Sequence, residues 1–464
     1  MPELPSLLSP PVEAMRQPVV EGVTRPLAWR LEQLDRLEAL LQTLETDLLA
    51  ALANDLGKPP LEAYYELVGV REELKHSRRH LKRWLAGQRI PLPAWSWPAR
   101  GRVQPEPLGC VLILGAWNYP FQLCLQPVIS ALAAGNTVVL KPSEVAPHTA
   151  SLIADRLNRL FPPQILQVVQ GGAELGAQLL ETRFDHIFFT GGGRVGRLVM
   201  AAAVRHLTPV TLELGGKSPA IVLADAALAP TARRLVWGKG LNAGQTCVAP
   251  DHLLVVPEIE APLLQAIAAE IRRVYGADPL ASPDLGRLVS RPHFERLANL
   301  LRQAEQRGQV LLGGRMDEKE RRIEPTLLRV DDPDNDPLMQ EELFGPLLPV
   351  LRVPHLEAAI ARVQAGPKPL ALYLFGQCPQ DRQRLRLATS SGSLAFNDVV
   401  MQVGVPQLPL GGVGESGMGA YHGHRGFLTF SHQRSILEQR FWPDLPFRYP
   451  PYTGKLSLVK RLMG

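Results

Sequence analysis

From Gly109 to Val204 the chain repeats one unit: a short apolar run, a polar loop, then a helical stretch. The apolar runs are Val111–Leu114, Thr137–Leu140, Ile165–Val169 and His186–Phe189. Such runs suit strands covered on both faces, and strands alternating with helices pair in parallel through crossovers. The repetition predicts a doubly wound α/β sheet, whose ligands bind beyond the carboxyl ends of its strands. Three polar loops lie at those ends: Ala116 to Pro120, Lys141 to Glu144, and Thr190 to Gly196. The same texture returns over residues 220–400, with strands expected at Ala220–Leu223, His252–Val256, Val350–Val353 and Ala371–Phe375. A second domain of similar build follows.

The flanks read differently. Leu31, Leu34, Leu37, Leu41, Leu44, Leu48 and Leu52 recur at three- and four-residue steps, an amphipathic helical pattern that Gly57-Lys58-Pro59-Pro60 stops. Gln88–Pro107 carries Pro91, Pro93, Trp95, Trp97, Pro98 and Pro105, which predicts an extended docking hairpin or partner surface. Near the end, Leu410 to Gly419 is a glycine-rich loop that suits either a phosphate or a close-packing crossover.

Composition excludes several functions. A net charge of +5 over 464 residues, with acids interleaved among the bases, gives no basic face for nucleic acid. The four cysteines, Cys110, Cys124, Cys247 and Cys378, show no C-x-x-C spacing, so neither disulfides nor a metal site is expected. That usage suits a reducing, cytoplasmic setting. Met1–Pro11 lacks a signal-peptide pattern, and no apolar run reaches the ~20 residues of a transmembrane anchor.

Two loops carry groups suited to chemistry. Cys247 follows Asn242, Gly244, Gln245 and Thr246, small and polar residues that predict an exposed thiol with donors lowering its pKa. Glu213 precedes Gly215-Gly216 in a setting expected to be equally exposed. A thiol nucleophile and a carboxylate base form a plausible pair. Gly191, Gly193 and Gly196 satisfy G-x-G-x-x-G between a strand and a helix, a cradle for phosphate at a helix N-terminus. Lys141 and Glu144 are placed for ribose or phosphate contacts, or form a solvated charge pair at a helix start.

Taken in order, Trp117-Asn118-Tyr119-Pro120, Lys141-Pro142-Ser143-Glu144, Leu212 to Lys217, Gly244-Gln245-Thr246-Cys247 and Glu341 to Pro346 resemble the aldehyde dehydrogenase family. Tyr64-Tyr65, Val248 to Asp251, Tyr421-His422-Gly423, Phe430 to Arg434 and Arg448 to Pro451 resemble its class 3 branch, which includes fatty and aromatic aldehyde enzymes. The resemblance implies two Rossmann-like domains and a small bridging unit: residues 1–87 and 104–212 for the dinucleotide, 213–408 for catalysis, 88–103 and 409–464 for bridging and the tail. It implies Cys247 as nucleophile, Glu213 as general base and Asn118 as oxyanion donor. Lys141, Glu144, Trp117, Glu342 and Phe344, with the glycine loop, would hold NAD or NADP, the Glu144 charge favouring NAD. Tyr65 and Tyr119 would line the aldehyde tunnel, and a homodimer is implied. Departures are Gly192 where the family usually has Ser, Leu410 where Phe is common, and Glu415 where Asn is common. The terminal Leu456 to Gly464 alternates leucines with bases, suiting either a membrane surface or a cover over the substrate entrance. Alternatives are transfer of the acyl group to CoA, against which Glu213 argues, and a silent dinucleotide-binding scaffold.

Overall fold

The strand Cys110–Leu114 shows how the first half is layered. Its residues are all buried, yet Val111 and Ile113 join one apolar cluster while Cys110, Leu112 and Leu114 join another. Successive side chains point to opposite faces of a strand, so both faces must be covered. The structure is a computed structural model and describes residues 8–463. One face is covered by the leucine-striped helices, which form two segments, Leu27–Thr43 and Glu45–Leu56, followed by Pro60–Leu85. Gly57 ends the second at φ 60°, a left-handed cap that glycine adopts without a Cβ penalty.

Six strands form the first sheet, in the order Gly417–Met418, Val210–Glu213, His186–Thr190, Cys110–Leu114, Thr137–Lys141, Leu166–Val168. All pair in parallel except the first. Chain order reverses beside Cys110–Leu114, the switch point where a doubly wound sheet opens a crevice. The two strands flanking that crevice lead into Ala116–Asn118 and Thr190–Gly192.

The second sheet has seven strands, ordered Val310–Leu312, Thr326–Arg329, Leu347–Arg352, His252–Val255, Pro219–Val222, Ala371–Phe375, Ser393–Phe396. Only the edge strand Val310–Leu312 runs antiparallel. The expected strands are thus present, joined by Val210–Glu213, Thr326–Arg329 and Ser393–Phe396, whose short runs gave no distinct apolar signal. Both doubly wound sheets are those expected from the repeat.

The Pro/Trp-rich segment is a hairpin. Gln88–Ile90 pairs with Arg100–Pro107, which pairs along its whole length with Ser431–Glu438 from the tail. Arg100–Pro107 is one continuous strand, so a domain boundary between residues 103 and 104 would cut through it.

The glycine-rich tail loop is a close-packing crossover. Gly417, at φ 147°, lies where a Cβ would come within 2.3 Å of the Leu212 carbonyl oxygen. Gly412 would likewise meet the Ser416 carbonyl at 2.0 Å. Only bare backbone can enter here, and it adds a strand beside Glu213. Gly417→Ala should therefore lower stability by about 1–3 kcal/mol through backbone strain. Gly192→Ala, where a Cβ would meet nothing within 4 Å, should leave the thermal midpoint in place. Thermal unfolding of the two variants makes the comparison, and equal midpoints would contradict the packing argument.

Candidate active site

A cavity of about 190 Å³ lies where the carboxyl ends of the first sheet face the amino ends of the second. Trp117, Asn118, Gly191 and Glu213 reach it from the first sheet. Gly215, Cys247, Glu342, Phe344 and Leu370 reach it from segments that precede strands of the second. Leu410 and Tyr421 close it from the tail.

Cys247 sits after an unusual turn. Asn242 and Ala243 hold φ near 52–53° and Gly244 holds 78°, three successive left-handed residues. Such a run costs non-glycine residues roughly 1–2 kcal/mol each and persists only where surroundings over-determine it. The surroundings do so. The Asn242 N–H donates to Glu62 Oε2 at 2.7 Å, and the Asn242 side-chain amide donates to the Asn118 carbonyl at 2.8 Å. Gln245 donates to the Asn242 and Arg287 carbonyls and accepts from the Val289 N–H, each at 2.9 Å. Gly244 abuts Gly345, whose oxygen would lie 2.3 Å from an added Cβ.

The thiol is half-buried rather than exposed, and its pKa moves opposite to the expectation. Burial pushes it up to about 12, and the Glu342 and Glu213 carboxylates add to the shift. The polar residues that predicted an activated thiolate spend their hydrogen bonds on the turn, as Gln245 illustrates. Glu213 corrects a second expectation. It ends the strand Val210–Glu213, is 4% exposed, and its Oε1 is buried without a hydrogen-bond partner. Burial raises its pKa well above the carboxylate range.

Asn118 is fixed from below. Its Nδ2 donates to the Gln245 carbonyl at 3.2 Å, and since the amide carries two hydrogens, one remains for the cavity it lines. Its own carbonyl accepts from Lys58 Nζ at 2.8 Å. Lys58 also pairs with Glu66, both side chains being fully buried, and Glu66 Oε2 accepts from the Phe121 and Gln122 N–H groups. Tyr119 is held alongside: its hydroxyl bonds Thr246 at 2.7 Å and its ring lies under Lys58 Nζ at 3.9 Å.

Glu342 and Phe344 are set by a second framework. Lys217 pairs with Asp251 and donates to the Leu338 and Glu341 carbonyls at 2.8 and 2.9 Å, while Asp251 Oδ1 accepts from Leu343 N–H. His293 bonds the Phe344 carbonyl at 2.8 Å. The Phe344 ring meets Trp117 edge-on at 5.3 Å. Glu342 packs against Gly215, where a Cβ would lie 2.0 Å from its Oε2, and burial lifts its carboxyl to about 8.

The glycine loop opens the helix Gly193–Ala203, with Gly192 at its N-cap. Gly191 leaves room for the Phe189 ring and Gly196 for Leu214, while Thr190 Oγ1 is buried without a partner. An open cradle at Gly192, a helix N-terminus and an orphaned hydroxyl fit a dinucleotide's phosphates. Lys141 and Glu144 lie outside the cavity lining and bond each other at 2.8 Å, Lys141 buried and Glu144 half-exposed. Tyr65 is 41% exposed on the helix Pro60–Leu85 and, like Tyr119, is not among the residues lining the cavity.

Sequence reasoning missed the framework. Lys58 read as part of a helix stop, and no motif singled out Glu62 or Glu66. Among the described residues, no group of three His, Cys, Asp or Glu is arranged to hold a metal.

Two doubly wound sheets sharing a cavity that holds a thiol, two carboxylates and a carboxamide define a dehydrogenase scaffold. The chain belongs to the aldehyde dehydrogenase family, whose profile matches residues 12–436, and it is an NAD(P)-dependent aldehyde dehydrogenase. It is 43% identical to aldehyde dehydrogenase family 3 member H1 of Arabidopsis thaliana, covering 97% of this chain and 94% of that one. It is also 43% identical to the dimeric NADP-preferring aldehyde dehydrogenase of Rattus norvegicus, over 97% and 99% of the two chains. The substrate-bound structure of Staphylococcus aureus AldH matches with a TM-score of 0.93 at 40% identity, covering 97% and 98%.

The raised thiol makes a checkable statement. In the cofactor-free enzyme, alkylation of Cys247 by iodoacetamide should climb about tenfold per pH unit through pH 9, because thiolate is the reactive form. Peptide mass spectrometry follows that one residue, and a plateau below pH 8 would contradict the burial argument.

Proposed function

We propose that the enzyme oxidises medium- or long-chain aliphatic, or aromatic, aldehydes to carboxylic acids through a covalent cysteine adduct. The observation that carries this reading is the one cavity lined by Cys247, Glu213 and Asn118 together. Cys247 gives up its proton to water and its sulfur adds to the aldehyde carbon, forming a thiohemiacetal whose oxygen carries the charge. The spare Asn118 N–H would donate to that oxygen, and one such donor lowers the barrier by about 2.7–4 kcal/mol. When bound, the nicotinamide cofactor accepts the hydride that leaves the carbon. The thioester that remains on Cys247 is opened by water, from which Glu213 takes a proton, and acid and free thiol are released. Apolar walls at Leu123, Leu370, Leu410 and Tyr421 support an apolar aldehyde.

The Gly191–Gly196 loop would hold the phosphates, Glu342 and Phe344 the nicotinamide side, and Lys141 with Glu144 the adenosine ribose. The Lys141 ammonium already offsets the Glu144 charge, which supports acceptance of both NAD and NADP. Tyr119 and Tyr65 would act on the aldehyde side. A buried Glu213 with an unused oxygen supports water over CoA as acyl acceptor, since a thiol acceptor needs no such base at the thioester.

The working unit we propose is a homodimer. Ser431–Glu438 has an outer edge with no neighbour in its sheet, and Leu437, Phe441 and Trp442 beside it are exposed. No helix among the described residues is long and apolar enough to cross a membrane. Four free cysteines support a cytoplasmic setting, and the exposed helix Lys455–Met463 leaves surface contact with a membrane, or a cover over the substrate entrance, as roles for the tail.

A panel of aldehydes differing in length and aromaticity, run with and without CoA, tests the substrate class and the acceptor. Free acid as product for apolar aldehydes is expected; an acyl-CoA product would overturn the hydrolytic reading. Glu213→Gln should cut turnover about a hundredfold or more and let an acyl-enzyme accumulate, visible as a mass increment on Cys247 after quenching. Cys247→Ala should abolish turnover yet still bind cofactor. Glu144→Gln frees Lys141, so the NADP-to-NAD ratio of kcat/KM should rise about fivefold, equivalent to roughly 1 kcal/mol; an unmoved ratio would remove Glu144 from cofactor choice.

A further inference from the structure

Away from the active site, a groove of about 690 Å³ lies between the helix Pro60–Leu85, the Pro/Trp hairpin and the segment around residues 407–433. His76, His80 and Arg83 reach it from the helix, where steps of three and four residues share one face. His422, His424 and Arg425 reach it from the tail. No Asp or Glu among the described residues lines it. Arg78, on the same helix, is paired with Asp35 and Glu38. Arg83 and Arg425, by contrast, make no ion pair among the described residues.

The imidazoles are held in place. His80 stacks on Trp84 at 6.0 Å and Trp84 on His424 at 5.4 Å, forming a column along the wall. His80 Nδ1 bonds the His76 carbonyl at 2.8 Å, which leaves its Nε2 free, and Gln407 Nε2 lies 3.3 Å from His76 Nδ1. At the floor, His422 is buried and bonds Gln126 at 3.2 Å. The one carboxylate beneath, Glu73, is buried and already accepts from the Gly423 N–H at 2.8 Å. The cationic groups repel one another: burial and then His80, Arg79 and His424 lower the pKa of His76, while burial and then Arg83 lower that of His424.

We propose that this groove is an anion-binding site for a phosphate-bearing ligand, either free pyrophosphate or a lipid headgroup. Arg83 and Arg425 supply charge at every physiological pH. His76 and His424, both lowered by burial and neighbouring charge, add to it only when protonated, so affinity rises as pH falls below the ordinary histidine range near 6.5. Glu73 opposes the effect only while ionised; its carboxyl is lifted to about 7 by burial, so acidification removes that charge too.

Calorimetric titration of the full-length enzyme with inorganic pyrophosphate, in saturating NADP to fill the dinucleotide site, tests this. Saturable binding at pH 5.5, at least tenfold weaker at pH 8.0, is expected. The double variant Arg83→Gln/Arg425→Gln should bind at least tenfold more weakly at both values while oxidising aldehyde at the parent rate. His76→Gln should flatten the pH dependence. Co-sedimentation with phosphatidylglycerol vesicles, lost in the double variant, would assign a headgroup; pyrophosphate binding without it would assign a free phosphate. Absence of saturable binding, displacement by NADP, or equal affinity in the double variant would each overturn the proposal. A monomer–dimer equilibrium that follows pH and the arginine pair, with no anion bound, would assign the groove to a second copy instead.

Discussion

The Lys58–Glu66 ion pair is the contact on which the turn before Cys247 rests. Both side chains are withdrawn from water, so neither charge could remain there alone. Lys58 spends its ammonium on Glu66, on the Asn118 carbonyl and on the Tyr119 ring; Glu66 spends its second oxygen on two N–H groups at the start of the helix Gln122–Ala134. Asn118 thereby becomes a fixed point, and its carbonyl also takes the Asn242 amide from the turn before Cys247. One buried charge pair couples the N-terminal helices, the first sheet and the loop of the second sheet that carries Cys247.

Electrostatically, the site is arranged against an idle thiolate. Buried Glu213 and half-buried Glu342 lie beside the sulfur, and desolvation raises all three groups. A site of this kind is short of positive charge until something cationic enters it. The same carboxylates that hold the thiol in its neutral form are suited to accept a proton, so reactivity depends on what the cavity contains.

Much of the fold was legible in the sequence. Apolar runs such as Val111–Leu114 and Ala371–Phe375 are short, β-rich and bounded by turn residues, so their strands could be placed within a residue or two. Cys247 and Glu213 stood out as polar groups in glycine-containing loops, Asn118 came with the family resemblance, and the three line one cavity. Their environment was not legible. Local sequence suggested exposure for Cys247 and Glu213, whereas Glu213 is buried and the tail crossover through Gly412–Met418, some 200 residues further on, adds a strand beside it. Burial of a loop depends on what packs over it from elsewhere in the chain.

By itself the sequence determined two doubly wound sheets, the loops that bear reactive groups, and the family to which they belong, because periodicity, turn chemistry and motif spacing are local properties. The tertiary structure alone decided that the cavity opens where carboxyl ends of one sheet confront amino ends of the other, bringing Glu213 and Cys247 together from opposite strand polarities. It also decided the ionisation of the groups there. Proton affinities follow from desolvation and neighbouring charge, which are properties of three-dimensional surroundings and are written in no short stretch of chain.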